Sequence, residues 1–212
     1  MSLPQEQIRY TEDQYLSIER ESEERREYLD GQIYTKAGES PQHGDICTNL
    51  TREVSAQLKG ASCRLWTKDS KVRSGPMPKR RDSIKGLYSY PDAVIVCGKP
   101  QFLDEYQDVV INPRVIIEVL SPSTEAFDSN EKFRRYRTHN PSLTDYLIVA
   151  QNQPSIEHFA RREEGQWVIA ASVNELSGSV HIASINCSLL LAEVYDRVEF
   201  LEDDEEPNYQ EV

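Results

Sequence analysis

Two carboxylates stand where apolar side chains would be expected. Asp92 follows Pro91 and opens the run DAVIVC, and Glu118 lies inside the run VIIEVL. Burying an ionised carboxylate is costly unless it is paired, protonated or bound to a metal ion. Carboxylates at the ends of adjacent central strands would form an oxygen-rich site suited to a hard divalent cation such as Mg²⁺. We therefore interpret both residues as candidate metal ligands, although Pro-Asp is also a common start of a turn.

Lys132 adds a third chemical group to this pair. It follows Glu118 by fourteen residues, on the predicted helix that leaves the strand. An ammonium group beside a metal-bound water can orient that water and offset the charge that develops when a phosphodiester is cleaved. The pattern points to phosphodiester hydrolysis, and an ordinary surface lysine is the alternative that the sequence leaves open.

Short β-branched runs predict the elements that position these side chains. Asp92–Cys97, Val115–Leu120 and Asp145–Ala150 are nearly continuous apolar runs, which is typical of strands buried on both faces. A helix predicted over Asp128–His139 separates the last two strands and indicates a crossover unit. The predicted fold class is therefore α/β, with a central mixed β-sheet flanked by helices.

The rest of the chain predicts further helices and additional antiparallel hairpins. Asp30-Gly31 is the strongest hairpin signal, and a stripe of apolar residues four apart follows Ser40. The predicted helices are Thr11–Arg20, Ser40–Lys59 and Leu189–Tyr195, the strands are Cys63–Thr67, Ser70–Ser74 and Val180–Ile185, and the hairpins are Arg26–Lys36 and Ser155–Ala160 with Gln166–Ser172.

Charge is unevenly distributed along the chain. The 212 residues contain 24 Lys+Arg and 36 Asp+Glu, a net charge of −12. Residues 202–212 hold six acids and no base, whereas Arg64–Lys85 holds eight bases and two acids. The acidic balance is therefore compatible with a nucleic-acid partner bound through a local basic surface. We interpret residues 1–200 as a single domain and residues 201–212 as an acidic tail that we expect to be flexible.

Composition narrows the class of protein further. No stretch of the sequence has the length of a membrane helix or the apolar core of a secretory signal, so we expect no membrane partner. The four cysteines are scattered singly, without the paired spacing of a metal site, and we interpret them as reduced, buried side chains of a cytoplasmic protein. They are Cys47, Cys63, Cys97 and Cys187.

Several motifs, in a fixed order, resemble those of one known family. They are the hairpin RREYLDGQIY followed by His43, then YPDAVIVC, PRVIIEVLSPSTEAFDSNEKFRRYR and DYLIVA. This set resembles the Uma2 family of endonucleases, which is abundant in cyanobacteria and forms a branch of the PD-(D/E)XK restriction-endonuclease-like superfamily. The resemblance runs from about Thr11 to about Arg197. It implies a restriction-endonuclease-like core and DNA as the substrate.

The resemblance assigns roles to the residues of the candidate site. It implies that Asp92 and Glu118 bind the metal ion, Mg²⁺ or Mn²⁺, with the backbone carbonyl of Val119 as a further ligand. The superfamily usually places its catalytic lysine two residues after the acid, where this chain has Leu120. In this family the helix that follows supplies the lysine, which here is Lys132.

Two more residues match positions of the family, and a third lies in the segment that follows Glu118. Glu27, in the N-terminal hairpin, would be a further catalytic carboxylate at the metal ion. His43 would be an accessory residue that contacts phosphate or water, although a capping or surface histidine fits the sequence equally well. Ser121 could hydrogen-bond Glu118 or a metal-bound water, and ordinary turn chemistry is its alternative.

Basic residues indicate how DNA would be held. We expect Lys79, Arg80, Arg81, Arg134 and Arg135 to contact the phosphate backbone, and we expect a homodimer because a duplex offers two-fold symmetric targets. Two functions stay open. One is a Mg²⁺-dependent endodeoxyribonuclease; the other is a catalytically inactive nucleic-acid-binding or assembly protein with a nuclease-like fold, which the leucine at position 120 and the acidic balance favour.

Overall fold

The structure, a computed structural model, describes residues 8–36, 38–78, 82–120 and 131–200. Its helices are α1 (Glu12–Arg20), α2 (Pro41–Gln57), α3 (Phe133–His139) and α4 (Leu191–Val194). Its strands are β1 (Arg26–Leu29), β2 (Gln32–Thr35), β3 (Cys63–Thr67), β4 (Lys71–Ser74), β5 (Leu87–Ser89), β6 (Ala93–Cys97), β7 (Val109–Val110), β8 (Val115–Leu120), β9 (Asp145–Ala150), β10 (Ile156–Arg161), β11 (Trp167–Val173), β12 (Ser179–Ile182) and β13 (Cys187–Leu190). None of the helices in these ranges has the length and apolar character that a membrane crossing requires.

A six-stranded mixed sheet carries the predicted central strands. Its order is β11-β10-β9-β8-β6-β3, with β8 and β9 parallel and the other pairs antiparallel. A second sheet has the order β2-β1-β5-β4-β7, and β12 pairs with β13. The predicted mixed α/β fold, with a crossover between β8 and β9 and additional antiparallel hairpins, is confirmed.

Alternation along β6, β8 and β9 sends their side chains into two separate cores. Ile117 faces the core that contains Leu50 of α2, and its neighbour Ile116 faces the core that contains Tyr136 of α3. Because both faces are covered, all six residues of β8 are buried, which explains the continuous apolar run in the sequence. A carboxylate in such a strand therefore has to lie at a strand end or among polar partners.

Helix α2 forms where the apolar stripe predicts it. Ser40 is the N-cap, its hydroxyl accepts a hydrogen bond from the backbone N–H of His43, and Pro41 opens the first turn. Ile46 and Leu50 are fully buried in the core that also contains Ile117. The helix thus fixes His43 in its first turn, at the rim of the central sheet.

The N-terminal hairpin and helix are also as predicted. Asp30 and Gly31 both have positive φ, 46° and 95°, as the tight turn between β1 and β2 requires. Strand β1 pairs with β5 as well as with β2, and the rings of Tyr15, Tyr28 and Tyr88 pack together between α1 and this sheet. This packing fixes β1 and with it Glu27, which pairs with Tyr34 of β2.

Several short elements were not predicted. Strands β5, β7 and β13 have two to four residues, so their sequences carry too little periodicity to indicate a strand. The helix predicted over Leu189–Tyr195 is wrong in its first part, because Cys187 and Leu189 alternate with exposed residues in β13 and only Leu191–Val194 is helical. The predicted first turn of the Asp128–His139 helix and the acidic tail 201–212 lie outside the described residues.

The expectation of four reduced cysteines is wrong for one pair. Cys63 and Cys97 are 34 residues apart in sequence but stand opposite each other where β3 pairs with β6, and they form a disulfide. Cys47 and Cys187 are free thiols. Sequence spacing could not reveal the bond, since only the antiparallel register brings the two residues together.

Candidate active site

The two predicted metal ligands lie at the same edge of the central sheet, with Asp92 just before the start of β6 and Glu118 near the end of β8. Strands β6 and β8 are antiparallel, with Ala93 opposite Ile117, so Asp92 directly precedes β6 beside the part of β8 that contains Glu118. The backbone N–H of Val119 donates a 2.8 Å hydrogen bond to Asp92 Oδ2. Both carboxylates are buried. This hydrogen bond thus joins Asp92 to Val119, the residue that follows Glu118.

Two basic groups face Asp92. Lys36 Nζ lies 3.7 Å from Asp92 Oδ1, and His43 Nε2 lies 3.4 Å from Asp92 Oδ2. Burial raises the pKa of Asp92, but the hydrogen bond from His43 and the charge of Lys36 outweigh burial and hold that pKa below its ordinary value. Asp92 is therefore ionised near neutral pH, as a metal ligand must be.

Glu118 is held by groups that arrive from α3. The hydroxyl of Tyr136 donates a 3.0 Å hydrogen bond to Glu118 Oε1, and Lys132 Nζ lies 3.8 Å from the same oxygen. The Tyr136 hydroxyl also lies 2.7 Å from Ser89 Oγ. Burial, together with the nearby charge of Glu118, raises the pKa of Tyr136 well above its ordinary value, so the hydroxyl keeps its proton. Tyr136 is therefore a permanent donor to Glu118.

Lys132 points inward from the start of α3. Its Nζ donates a 3.1 Å hydrogen bond to Glu27 Oε1, and its side chain is only 7 % exposed. A buried ammonium group needs opposite charge nearby, and here Glu27 and Glu118 supply it from two different sheets. Leu120, two residues after Glu118, packs in the core that contains Tyr136.

The backbone of Tyr90 connects Glu27, which contacts Lys132, with Lys36, which contacts Asp92. Its backbone N–H donates a 3.0 Å hydrogen bond to Glu27 Oε1, and its carbonyl accepts a 2.9 Å hydrogen bond from Lys36. The arrangement contains three carboxylates, on Glu27, Asp92 and Glu118, and two ammonium groups. Carboxylate oxygens are the ligands that Mg²⁺ and Mn²⁺ prefer, so these three side chains offer donors of the kind that a hard divalent cation binds.

A cleft adjoins the Asp92 side of the site. Its volume is about 460 Å³, and Lys36 and Glu39, which contact Asp92 and His43, form part of its wall. Among the described residues, the lining is Glu23, Glu24, Arg25, Thr35, Lys36, Gly38, Glu39 and Lys68. Solvent and small ions can therefore reach the rim of the buried site from this side.

The predicted DNA-contacting residues differ in their availability. The Arg134 side chain is 53 % exposed and pairs with Glu131, so it can reach a ligand. The Arg135 side chain is 10 % exposed and its guanidinium is used by Asp30 and Glu131, at 2.6 and 2.7 Å. Lys79, Arg80 and Arg81, and also the accessory residue Ser121, lie outside the described residues.

The basic cluster Arg64–Lys85 is not a continuous surface. Lys71 and Arg73 are buried, with exposed fractions of 4 % and 3 %. Lys71 lies 3.6 Å from Asp108, and the Arg73 guanidinium pairs with Glu12 at 2.8 Å. The expectation that the whole cluster contacts DNA is therefore wrong for these two residues, because carboxylates distant in sequence neutralise them inside the fold. Arg64 and Lys85 are exposed.

Sequence reasoning missed three residues around the site. Lys36 and Tyr136 looked like an ordinary hairpin residue and an ordinary helix residue, and only the tertiary fold brings them to Asp92 and Glu118. Cys47 lies one turn after His43 on α2, with its Sγ 3.5 Å from His43 Nδ1. The spacing of four residues between this histidine and cysteine is the signal that could have indicated the contact.

Comparison with known proteins defines the class to which this fold and site belong. A solved structure described as a putative nuclease belonging to DUF820, from Anabaena variabilis ATCC 29413, superposes with a TM-score of 0.68 and 16% identity over 88% of this chain and 97% of that chain. This likeness establishes the fold, an α/β fold shared with that protein. The family profile described as "Putative restriction endonuclease" matches residues 12–186. The chain therefore belongs to the Uma2 family, and the resemblance drawn from its motifs is confirmed.

Two curated relatives support the same membership. The uncharacterized protein slr1290 of Synechocystis sp. is 32% identical over 188 residues, which cover 89% of this chain and 92% of the relative. The uncharacterized protein sll1609 of the same organism is 31% identical over 162 residues, covering 76% of this chain and 86% of the relative. The aligned lengths show that the similarity to each relative extends over at least 76% of this chain.

Proposed function

We propose that this protein is a metal-dependent endonuclease that hydrolyses DNA phosphodiester bonds. The observation that carries the proposal is the position of Lys132, whose ammonium nitrogen lies 3.1 Å from Glu27 and 3.8 Å from Glu118. An ammonium group set among carboxylates at a strand end supplies both parts that phosphodiester cleavage needs, a metal-binding set and a positive charge near the reacting group. Membership of the Uma2 family supports the same reading.

Asp92, Glu118 and the backbone carbonyl of Val119 would hold the cation, Mg²⁺ or Mn²⁺. When bound, the cation supplies an activated water and stabilises the leaving oxygen. The chain fixes its ligands beforehand: Val119 N–H positions Asp92, and Tyr136 positions Glu118. Ligands held in this way lose little entropy when the ion binds.

Lys132 would act on the phosphodiester itself. In the absence of substrate its charge is balanced by Glu27 and Glu118. With Glu118 engaged as a ligand, Lys132 would stabilise the negative charge that develops on the phosphate oxygens. Glu27 keeps the ammonium in position, and His43 would contact phosphate or water beside Asp92.

DNA would be held by exposed basic residues. Among the described residues, Arg134, Arg64 and Lys85 are exposed, and we propose that Lys79, Arg80 and Arg81 also contact DNA. Arg135 would orient this surface through Asp30 and Glu131. We also propose that two copies act together, since a duplex presents two symmetric strands.

Plasmid cleavage with Mg²⁺ or Mn²⁺ tests the proposal, with Glu118→Gln as the disabled variant. Glu157→Gln is the matched control, because Glu157 and Glu118 both stand opposite Ile148 on the same face of the sheet, roughly 10 Å apart. We expect metal-dependent nicking by the wild type and by the control, and at least about a 100-fold loss in Glu118→Gln. Equal activity in wild type and Glu118→Gln would contradict the site. DNA binding without any cleavage would favour the inactive nucleic-acid-binding or assembly protein.

A further inference from the structure

His43, Cys47 and Asp92 bring three different metal-binding groups together beside α2. One ligand atom of each residue lies within 4.8 Å of the other two. His43 and Asp92 are buried and Cys47 is half-buried. We propose that these three residues form a binding site for a thiophilic divalent cation, with Zn²⁺ as the typical occupant.

Two of the ligand atoms already have the spacing that such an ion requires. His43 Nε2 and Asp92 Oδ2 are 3.4 Å apart. Ligands about 2.0–2.2 Å from one tetrahedral ion stand about 3.3–3.5 Å from each other. Cys47 Sγ lies 3.5 Å from the other ring nitrogen, His43 Nδ1. Because one ligand atom of each residue lies within 4.8 Å of the other two, the sulphur has only a short distance to move to become the third ligand.

Groups around the cluster fit a metal-bound histidine. Ligating histidines usually donate their second ring N–H to a carboxylate, and Glu39 Oε2 lies 3.9 Å from His43 Nδ1. Glu39 is itself held by Lys68 at 2.7 Å. Once the Cys47 sulphur has moved to the metal, Glu39 can take its place at Nδ1. Both Glu39 and Lys68 line the cleft described above, which gives an ion a route from solvent.

The donor set distinguishes this ion from the cation of the proposed nuclease. A thiolate and an imidazole select Zn²⁺ and similar ions, whereas carboxylate and carbonyl oxygens select Mg²⁺ and Mn²⁺. The thiolate of Cys47 and the carboxylate of Asp92 would together balance the two positive charges of the ion. The site is therefore chemically complete apart from the fourth ligand, which water can supply.

Asp92 belongs to both sets of ligands. If the proposed nuclease uses Asp92, an ion bound to His43 and Cys47 withdraws that carboxylate and inhibits cleavage. This consequence rests on the proposed function, but the binding itself does not. Zn²⁺ would then be an inhibitor that competes with Mg²⁺ through a shared ligand.

Titration of the full-length protein with Co²⁺, a spectroscopic substitute for Zn²⁺, tests the binding without DNA. We expect one Co²⁺ per chain and a thiolate-to-cobalt charge-transfer band, which Zn²⁺ abolishes by displacement. The band should be absent in Cys47→Ser and present in Cys187→Ser, the matched control at the other free thiol. Absence of the band in wild type, or its persistence in Cys47→Ser, would overturn the proposal.

A second measurement uses the wild-type protein, so it does not depend on whether the variants fold. Alkylation of Cys47 by iodoacetamide, followed by mass spectrometry, should slow by at least about tenfold with Zn²⁺ and be unaffected by Mg²⁺. Equal rates with and without Zn²⁺ would overturn the site. A protein that binds Zn²⁺ in this way but does not cleave DNA would contradict only the proposed nuclease function.

Discussion

The backbone N–H of Val119 donates a 2.8 Å hydrogen bond to Asp92 Oδ2, so the carboxylate before β6 is fixed by the residue after Glu118. The pairing of β6 with β8 ends at Ala93 and Ile117. Beyond this pair, the Asp92 side chain and not a main-chain carbonyl of β6 accepts the hydrogen bond from Val119. The sheet therefore opens at the place where the two carboxylates lie. A site built in this way depends on strand register rather than on sequence distance.

Substitution of Lys132 should affect DNA cleavage and metal binding differently, so it tests the proposed catalytic role of the ammonium group. In Lys132→Met the carboxylates Glu27 and Glu118 lose a positive neighbour, so we expect Mg²⁺ affinity to be unchanged or tighter. Cleavage should nevertheless fall by about 10²–10³-fold, because the developing phosphate charge is no longer stabilised. Metal titration and plasmid nicking, measured on the same preparation, check the two effects.

Lys59→Met is the control for this variant, because Lys59 is exposed near the end of α2 and away from the site. It should cleave DNA at the wild-type rate. If Lys132→Met also keeps full activity, the ammonium group has no catalytic role.

Tyr136 is expected to stabilise the buried Glu118. Tyr136→Phe removes the hydroxyl that donates to Glu118 and contacts Ser89, so Glu118 loses this donor and Ser89 loses this partner. We expect the free energy of unfolding to fall by about 1–3 kcal/mol. Urea unfolding at neutral pH measures the change, and an unchanged midpoint would show that the hydroxyl contributes nothing to the fold.

Two arginines of the same basic cluster should behave in opposite ways. Arg73 is buried against Glu12, so Arg73→Met should cost about 3–5 kcal/mol of stability while the folded fraction binds DNA normally. Arg64 is exposed, so Arg64→Ala should leave stability unchanged and reduce the salt dependence of DNA binding by about one unit of slope. Fluorescence anisotropy in EDTA, at several salt concentrations, distinguishes them. The reverse pattern would refute the burial argument.

A buried polar cluster on the other face of the sheet should make stability depend on pH. Asp145 accepts hydrogen bonds from His158 and Thr144, at 2.7 and 2.6 Å, and from Ser184. Burial raises the pKa of Asp145, but these donors outweigh burial and hold it below its ordinary value of 3.8. A lowered pKa in the folded state stabilises the protein above the ordinary value, and this stabilisation is lost as the pH falls through the folded value.

Asp145→Asn should therefore cost about 2–4 kcal/mol at neutral pH. The difference between wild type and variant should shrink as the pH falls from the ordinary value of 3.8 through the lower folded-state pKa, because the unfolded wild-type chain takes up the Asp145 proton first. Urea unfolding across this pH range is the measurement. A difference that stays constant with pH would mean that the ionised form of Asp145 is not what the cluster stabilises.

The sequence predicts the parts of the molecule that local pattern determines. The stripe through Ile46 and Leu50 predicts α2, Asp30-Gly31 predicts the hairpin, and the polar residue Glu118 within an aliphatic strand indicates a site. The strands β5 and β7 could not be predicted, because their stability comes from neighbouring strands rather than from periodicity.

Contacts between distant segments account for the remaining differences. The sequence indicates Arg73 as a surface residue, and only the tertiary fold shows that it is buried against Glu12. The Cys63–Cys97 disulfide likewise depends on the register of β3 and β6. Lys36 could not be identified as a partner of Asp92 for the same reason. Contacts between residues far apart in sequence determine which of several similar charged side chains form ion pairs. The local sequence pattern does not indicate these contacts.

Mn²⁺ binding by isothermal titration calorimetry tests most directly whether Asp92 and Glu118 share one metal ion. Wild type, Asp92→Asn, Glu118→Gln and the control Glu157→Gln are compared at neutral pH without DNA. We predict that each of the first two substitutions weakens binding by at least about tenfold, through loss of a charged oxygen ligand, and that Glu157→Gln binds as the wild type does. Wild-type affinity in Glu118→Gln would contradict the shared site.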